Sequence, residues 1–387
     1  MTYNFNEQIN RQNTNSLKYD FAARFNKPIN ITPLWVADMD FKIPPEVTEK
    51  LQSIVNHGIY GYTDANDDYF NALYNWFDKI HGYKIKKEWL VKTPGIVYAL
   101  GMAIKAFTAP NDSILIQKPL YYPIENTIVA NGRKAIDNTL KYSNNCYSID
   151  ITDFEEKIIK HNIKMFILCN PHNPVGRVWT KEELQEMGRI CKKHNVLVVS
   201  DEIHCDIVFG GHKHLVFSNV CEDVDSIICT APSKTFNLAG LQCSNIFIAN
   251  KKLKAMFKHE IHATGYSQLN TMALAAGQAA YEHGGAWHTA LMEYLTSNAL
   301  YVKSFIEREI PQIKVIDLQG SYLMWLDFSG FNLSHNELDD IITNKAKLWL
   351  SSGTTFGETG QYFFRINLAC PLNTLEKAMA QLKGAFK

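Results

Sequence analysis

Cysteine pairs at metal or redox spacing are missing from this chain. Its eight cysteines are scattered over 387 residues and no two stand as C-x-x-C. That argues against a disulfide framework or a zinc knuckle and fits free thiols in a reducing cytoplasm. A charge excess is missing as well: 39 basic residues balance 39 acidic ones. The basic surface that attracts nucleic acid or an anionic membrane is therefore not expected. No apolar run is long enough to cross a bilayer, and the polar stretch Met1–Asn15 lacks the apolar core of a secretory signal. Repeats and low-complexity tracts are absent too. What remains is an ordinary globular composition, with 46% hydrophobic residues and a length beyond what one hydrophobic core usually supports. Two domains are the expectation.

The middle of the chain alternates short β-branched runs with helical patterns, which predicts a parallel sheet covered by helices. The runs Ser113–Gln117, Met165–Cys169, Val196–Ser200, Ser226–Thr230 and Asn245–Ala249 are nearly all apolar, as strands buried on both faces are. Between them, Lys181–His194 reads as a helix with Thr180 and Glu183 as a capping box. The pattern changes at Gly284–Gly285: a helix from Trp287 to the stop at Pro311, strand-like runs at Tyr322–Phe328 and Phe363–Leu368, and a last helix from Leu375. The predicted division is a large domain over 44–285 and a smaller α+β domain from 1–43 and 286–387. Pro44–Pro45 marks the break.

Four features fall at predicted strand ends or helix starts, where open parallel sheets bind ligands. Thr93-Pro94-Gly95-Ile96-Val97 opens a helix through Phe107, so free backbone N–H groups there suit an anion. Asn170-Pro171-His172-Asn173-Pro174-Val175-Gly176 makes a constrained loop in which Asn173 offers both donor and acceptor. Ser200-Asp201-Glu202-Ile203-His204 puts an acid at a strand end. Ala231-Pro232-Ser233-Lys234 puts a lysine inward, where burial can lower its pKa and make it a nucleophilic amine. Each has an ordinary structural explanation by itself. In this order they are what pyridoxal 5′-phosphate needs: donors for its phosphate, a carboxylate for its ring nitrogen and an amine for its aldehyde. The acids and histidines Asp201, Glu202, His204, Asp206, His212 and His214 also invite a metal, but their spacing matches no metal motif and none is expected.

Further stretches sharpen the picture: Leu34-Trp35-Val36-Ala37-Asp38-Met39-Asp40-Phe41, Gly61-Tyr62-Thr63, Lys118-Pro119-Leu120-Tyr121-Tyr122-Pro123, Asn170 to Trp179, Ala231 to Gly240 and Phe364-Arg365-Ile366-Asn367-Leu368-Ala369-Cys370-Pro371. With them nearly the whole chain resembles the fold-type I pyridoxal-phosphate enzymes of the aspartate aminotransferase superfamily. Within it, the chain is most similar to the carbon–sulfur lyases, such as cystathionine β-lyase and cystalysin. The resemblance implies an α/β large domain with a mostly parallel seven-stranded sheet and a smaller α+β domain. It implies Lys234 as Schiff-base lysine and proton-transfer base, and Asp201 at the ring nitrogen. Asn173 would lie at the ring's phenolic oxygen and Tyr121 on the ring face, with Tyr121 or Tyr122 as candidate proton donors. Gly95, Ile96, Val97 and Ser233 would bind the phosphate, with His204 among the cofactor residues. Tyr62 would reach the phosphate of a second copy, so a homodimer with shared sites is implied. Arg365 would hold the substrate carboxylate, with Ala37 and Asp38 beside it; guanidinium matches carboxylate bidentately.

Two positions depart from the aminotransferase pattern and resemble the lyase branch. His204 stands where a tyrosine is common, and Gln242 where a phosphate-binding arginine is common. The expected reaction is β-elimination from a small sulfur amino acid, in the cytoplasm, with an aminotransferase as chief rival. A pyridoxal-phosphate transcription regulator is disfavoured, because no DNA-binding module flanks the domain and the chain is not basic.

Overall fold

The computed structural model describes residues 3–387. Seven strands form the central sheet: β1 (Leu90–Thr93), β2 (Ser113–Ile116), β3 (Lys134–Asp137), β4 (Met165–Cys169), β5 (Leu197–Asp201), β6 (Ser226–Thr230) and β7 (Ser244–Phe247). Their spatial order is β1-β7-β6-β5-β4-β2-β3. Only β7 runs against its two neighbours; the remaining pairs are parallel. β4, β5 and β6 are buried along their whole length, as their apolar runs predict. Alternate side chains feed two cores. Ile114, Ile116, Ile167, Val199 and Ile227 pack with the helices Ile96–Phe107 and Lys251–Ala263. Leu115, Phe166, Leu168, Val198 and Ile228 pack on the other face with Asp67–His81 and Lys181–Lys193.

The sheet is the mostly parallel one expected, with three differences. The fifth strand begins at Leu197 and takes in Asp201, and the seventh starts at Ser244. Edge strand β3 is half-exposed, and its Lys-Ala-Ile-Asp sequence lacks the apolar run that marks the inner strands. The helix Lys181–Lys193 carries the capping box of Thr180 and Glu183.

A second sheet comprises β8 (Lys314–Val315), β9 (Leu323–Asp327), β10 (Ser351–Ser352) and β11 (Phe363–Asn367). Its order is β8-β9-β11-β10, antiparallel throughout. Met324, Leu326, Phe364 and Ile366 pack against the helices Gly285–Glu309 and Leu372–Ala385. Thr32–Pro33 pairs with Leu348–Trp349, which brings the N-terminal segment onto this side of the molecule. The loops after β4, β5 and β6 therefore leave the large sheet at one edge, and Arg365, in the middle of β11, faces them. No helix among the described residues is long and apolar enough to cross a membrane.

Candidate active site

Lys234 sits on a single helical turn, Pro232–Thr235, that begins directly after β6. Proline at the first helical position presets the turn. The lysine amine donates to the Ala37 carbonyl at 2.5 Å. Burial lowers its pKa to about 8; Asp38 and Asp201 oppose that shift and Arg365 assists it. The turn is anchored by Asn237, which adopts a left-handed φ of 57°. Its side chain accepts from the Met39 N–H at 2.9 Å and donates to the Met39 and Phe41 carbonyls at 3.0 and 3.1 Å.

Asp201 ends β5 and is buried, paired across the ladder with Cys169 and Cys229. One hydrogen bond reaches its carboxylate, from the Ile203 N–H at 3.2 Å, and no cation lies within ion-pair distance among the described residues. Burial raises its pKa to about 7. His204, three residues on, is also buried, and its Nδ1 has no partner among the described residues. Burial, then Lys234 and Arg365, keep its ring neutral.

Asn173 and Arg365 lie side by side although 192 positions apart: an Arg365 Nη donates to Asn173 Oδ1 at 2.9 Å. The other Nη donates to the Trp35 carbonyl at 3.0 Å and to Ser351 Oγ at 3.2 Å. Arg365 Nε has no partner, and no carboxylate of the described residues pairs with the guanidinium, which is 5% exposed. Burial lowers its pKa to about 10. Its flat face lies 4.8 Å from the Phe356 ring centroid. Tyr121 is held by its N–H to the Asn173 carbonyl at 3.0 Å. Burial, then Tyr122, raise its pKa to about 12, so its hydroxyl keeps a proton at neutral pH. The Tyr122 ring, 5.6 Å from that of Tyr121, is more exposed.

The helix Ile96–Phe107 starts without a side-chain cap, so the first-turn N–H groups of Ile96, Val97 and Tyr98 are free of intrahelical partners. One expectation changes here. Gly95 adopts φ 103°, and its own N–H is taken by the Thr93 carbonyl at 2.9 Å and Ser244 Oγ at 3.1 Å. It can shape an anion cradle but has no free donor for it. Ser233, beside Lys234, is 9% exposed. Tyr62 stands apart from this group, 96% exposed, next to Tyr60 and Ile59, which are also exposed.

The expectation for Asp38 also changes. Its carboxylate is bonded by Arg11 at 2.6 and 3.2 Å, and Lys18, fully buried, lies 3.6 Å away while pairing with Asp40 at 2.8 Å. Both oxygens of Asp38 are thus engaged by Arg11, and its charge favours the charged form of Lys234. The acids and histidines after β5 likewise separate. Glu202 accepts from His214 at 2.9 Å, and Asp206 contacts His81 at 2.8 Å. Among the described residues, the group whose donor atoms could hold a metal is His81, Cys205 and Asp206, which the linear spacing could not show because His81 comes from a distant helix. Sequence reasoning also missed Tyr322, whose hydroxyl donates to the Ala37 carbonyl at 3.0 Å. A tyrosine inside an apolar strand run carries no signal of its own.

The chain is similar to known proteins over nearly its whole length. Cystathionine β-lyase PatB of Bacillus subtilis is 40% identical over 99% of this chain and 100% of its own. The crystal structure of cystalysin from Treponema denticola, which contains pyridoxal 5′-phosphate, superposes with a TM-score of 0.96 at 35% identity, covering 100% of this chain and 99% of that one. That of the pyridoxal-phosphate-bound C–S lyase from Staphylococcus hominis gives 0.93 at 33% identity, covering 100% and 98%. The profile of aminotransferase class I and II matches residues 29–382. With that match spanning both sheets and the cleft they enclose, the chain belongs to the aminotransferase class I and II family.

Proposed function

We propose that this chain is a pyridoxal 5′-phosphate-dependent carbon–sulfur β-lyase. It cleaves cystathionine, cysteine or a related S-substituted amino acid to a thiol, pyruvate and ammonia. The observation that carries the reading is the meeting of three groups from distant parts of the chain. They are the Lys234 amine, whose acceptor is the Ala37 carbonyl, a buried carboxylate with no cation and a buried guanidinium with no anion among the described residues. Buried charges are normally paired, so the carboxylate and the guanidinium call for partners from a ligand; the cofactor and an amino acid substrate supply them, and the amine can bond the cofactor's aldehyde.

In this reading Lys234 attaches the cofactor, Asp201 faces its ring nitrogen and the Asn173 amide donates to its phenolic oxygen. Tyr121 covers the ring face, while Ile96, Val97 and Ser233 receive the phosphate. When bound, the cofactor supplies an electron sink for the negative charge left at the substrate Cα. Arg365 pairs with the substrate carboxylate and so fixes the direction of the Cα–H bond. Lys234, as the neutral amine, takes the Cα proton. The protonated hydroxyl of Tyr121, or the Tyr122 side chain, is the candidate donor to the departing sulfur. His204 stays neutral and adds no competing positive charge beside Asp201.

The reading extends to assembly: a cytoplasmic homodimer in which Tyr62, exposed within one chain, reaches the phosphate of a second. The large domain would run over 44–285, with 1–43 and 286–387 forming the small one. Support for that division comes from the strand pair Thr32–Pro33 with Leu348–Trp349.

The test is a direct race. Purified protein loaded with cofactor is given cystathionine, cysteine and pairs of amino acid and keto acid. Thiol and pyruvate release should far exceed amino-group exchange. Dominant exchange would replace the lyase reading by an aminotransferase.

A further inference from the structure

Two donors from distant parts of the chain meet at one carbonyl. The Ala37 oxygen accepts from Lys234 Nζ at 2.5 Å and from the Tyr322 hydroxyl at 3.0 Å. Tyr322 is fully buried, and its ring meets that of His204 edge-on at 6.0 Å between centroids. The turn that delivers it is unusual. Ser321 takes a left-handed φ of 65°, rare for a residue other than glycine or asparagine. That conformation is held by the Ser321 N–H to the Ile207 carbonyl at 2.8 Å and by the Leu323 N–H to Ser321 Oγ at 3.1 Å. The N–H groups of Gln319 and Gly320 add bonds to the Gly176 carbonyl at 2.9 and 2.8 Å. Backbone strain held by so many bonds is typical of functional sites.

A carbonyl oxygen has two lone pairs, and here each faces a donor. Two donors on one acceptor draw on the same electron density, so each bond is weaker than it would be alone. Burial and Asp38 keep the Tyr322 hydroxyl protonated, so it stays a donor. We propose that Tyr322 is a positioning residue for Lys234: by sharing the Ala37 carbonyl it limits how firmly the ammonium form of the lysine is held, and so keeps the amine available. This rests on the role proposed for Lys234 above. The other groups facing the amine are accounted for. Asp38 and Asp201 favour its charged form, and Arg365 disfavours it. His204, coupled to it in charge, is neutral. Among the described residues Ala37 O is the one acceptor bonded to Nζ, and Tyr322 is the donor that competes for it.

The test reads the lysine itself. The full chain, freed of cofactor, is treated with 2,4,6-trinitrobenzenesulfonate across a range of pH, and labelling of Lys234 is followed by peptide mapping. In the wild type, labelling should rise through about pH 8. Tyr322→Phe removes the competing donor and should move the profile upward by about half a unit, slowing labelling at pH 7.5 about threefold. Placing 3-fluorotyrosine at position 322 makes the hydroxyl a stronger donor and should move the profile the other way; it decides the matter alone if Tyr322→Phe does not fold. Profiles that stay put, or that both move in one direction, overturn the inference. Pyridoxal 5′-phosphate added to the wild type should shield Lys234 from the reagent. Failed shielding with the Tyr322 shifts intact would sink the cofactor reading alone, and successful shielding with unmoved profiles would sink the positioning role alone.

Discussion

Asp201 and Asp206 lie on one short stretch of chain, both buried, and their surroundings treat them in opposite ways. Asp206 is saturated. It accepts from Trp76 Nε1 at 3.0 Å and from Thr235 Oγ1 at 2.6 Å, with His81 at 2.8 Å and His288 bonded to its backbone carbonyl at 2.7 Å. Burial alone would raise its pKa, but His81, supported by His288 and Thr235, holds it well below the usual carboxylate range. Asp201 has one backbone donor and a pKa raised to about 7. The same contrast separates two buried arginines. One Arg177 Nη donates to both Glu183 oxygens at 2.6 and 2.7 Å and the other to Gln319 at 3.0 Å. Arg365 meets neutral acceptors only. Burial alone does not separate these residues; the presence of a group of opposite charge does. Asp206 and Arg177 each lie against such a group, and among the described residues Asp201 and Arg365 do not.

The arginine pair should break apart most widely. Lysine keeps the charge but loses the planar fork. Arg365→Lys should therefore lower kcat/KM by about one to two orders of magnitude while cofactor content and visible spectrum stay near wild type. Arg177→Lys should leave kcat/KM near wild type and lower stability instead. Steady-state kinetics and thermal melts on both variants check it; loss of cofactor from Arg365→Lys would return that residue to the frame.

The aspartates should differ next, and in stability. Asp206→Asn turns an amide donor toward groups that already donate. Urea unfolding of the cofactor-free chain should show a loss of about 1–3 kcal/mol. Asp201→Asn removes a desolvated charge with little bonding, so the same measurement should show no loss, although lyase activity should fall. Equal losses in the two variants would erase the contrast.

The aspartates should differ in pH dependence as well. Asp201 has a folded pKa raised from 3.8 to about 7. The stability it contributes is thus full below about pH 4 and is lost as pH rises through about 7. Asp206 has the opposite sign: its contribution is present above its unfolded pKa and is lost as pH falls below it. In the cofactor-free chain Asp201→Asn should flatten the decline between about pH 4 and 7 and leave the acid limb alone. An unchanged slope there would mean that Asp201 is solvated.

The contrast also explains what the sequence could reveal. The inner strands were legible because Met165–Cys169 and Ser226–Thr230 are apolar without interruption, and the cleft residues because they follow those strands directly. Edge strand β3 was not, since its half-exposed Lys-Ala-Ile-Asp resembles a loop. The satisfaction of a side chain was not legible at all. Asp38 and Asp201 read alike as acids near a ligand until Arg11 and Lys18 are seen to occupy the former. Likewise Gly95 reads as a free donor until Ser244, 149 positions away, is found against it. Tyr322 was invisible for the same reason, because its partner lies 285 residues earlier.

Those separations have a kinetic side. Arg365 bonds the Trp35 carbonyl across 330 positions, and Lys234 bonds Ala37 across 197. Closing such loops costs entropy before any contact rewards it, so contacts of this span form late in folding. A chain emerging from the ribosome can build β1 to β7 and still have no cleft, because the strand bearing Arg365 comes after all seven. Binding of cofactor and substrate together thus reports that both sheets have formed, and their combined affinity stabilises only the folded state that joins them.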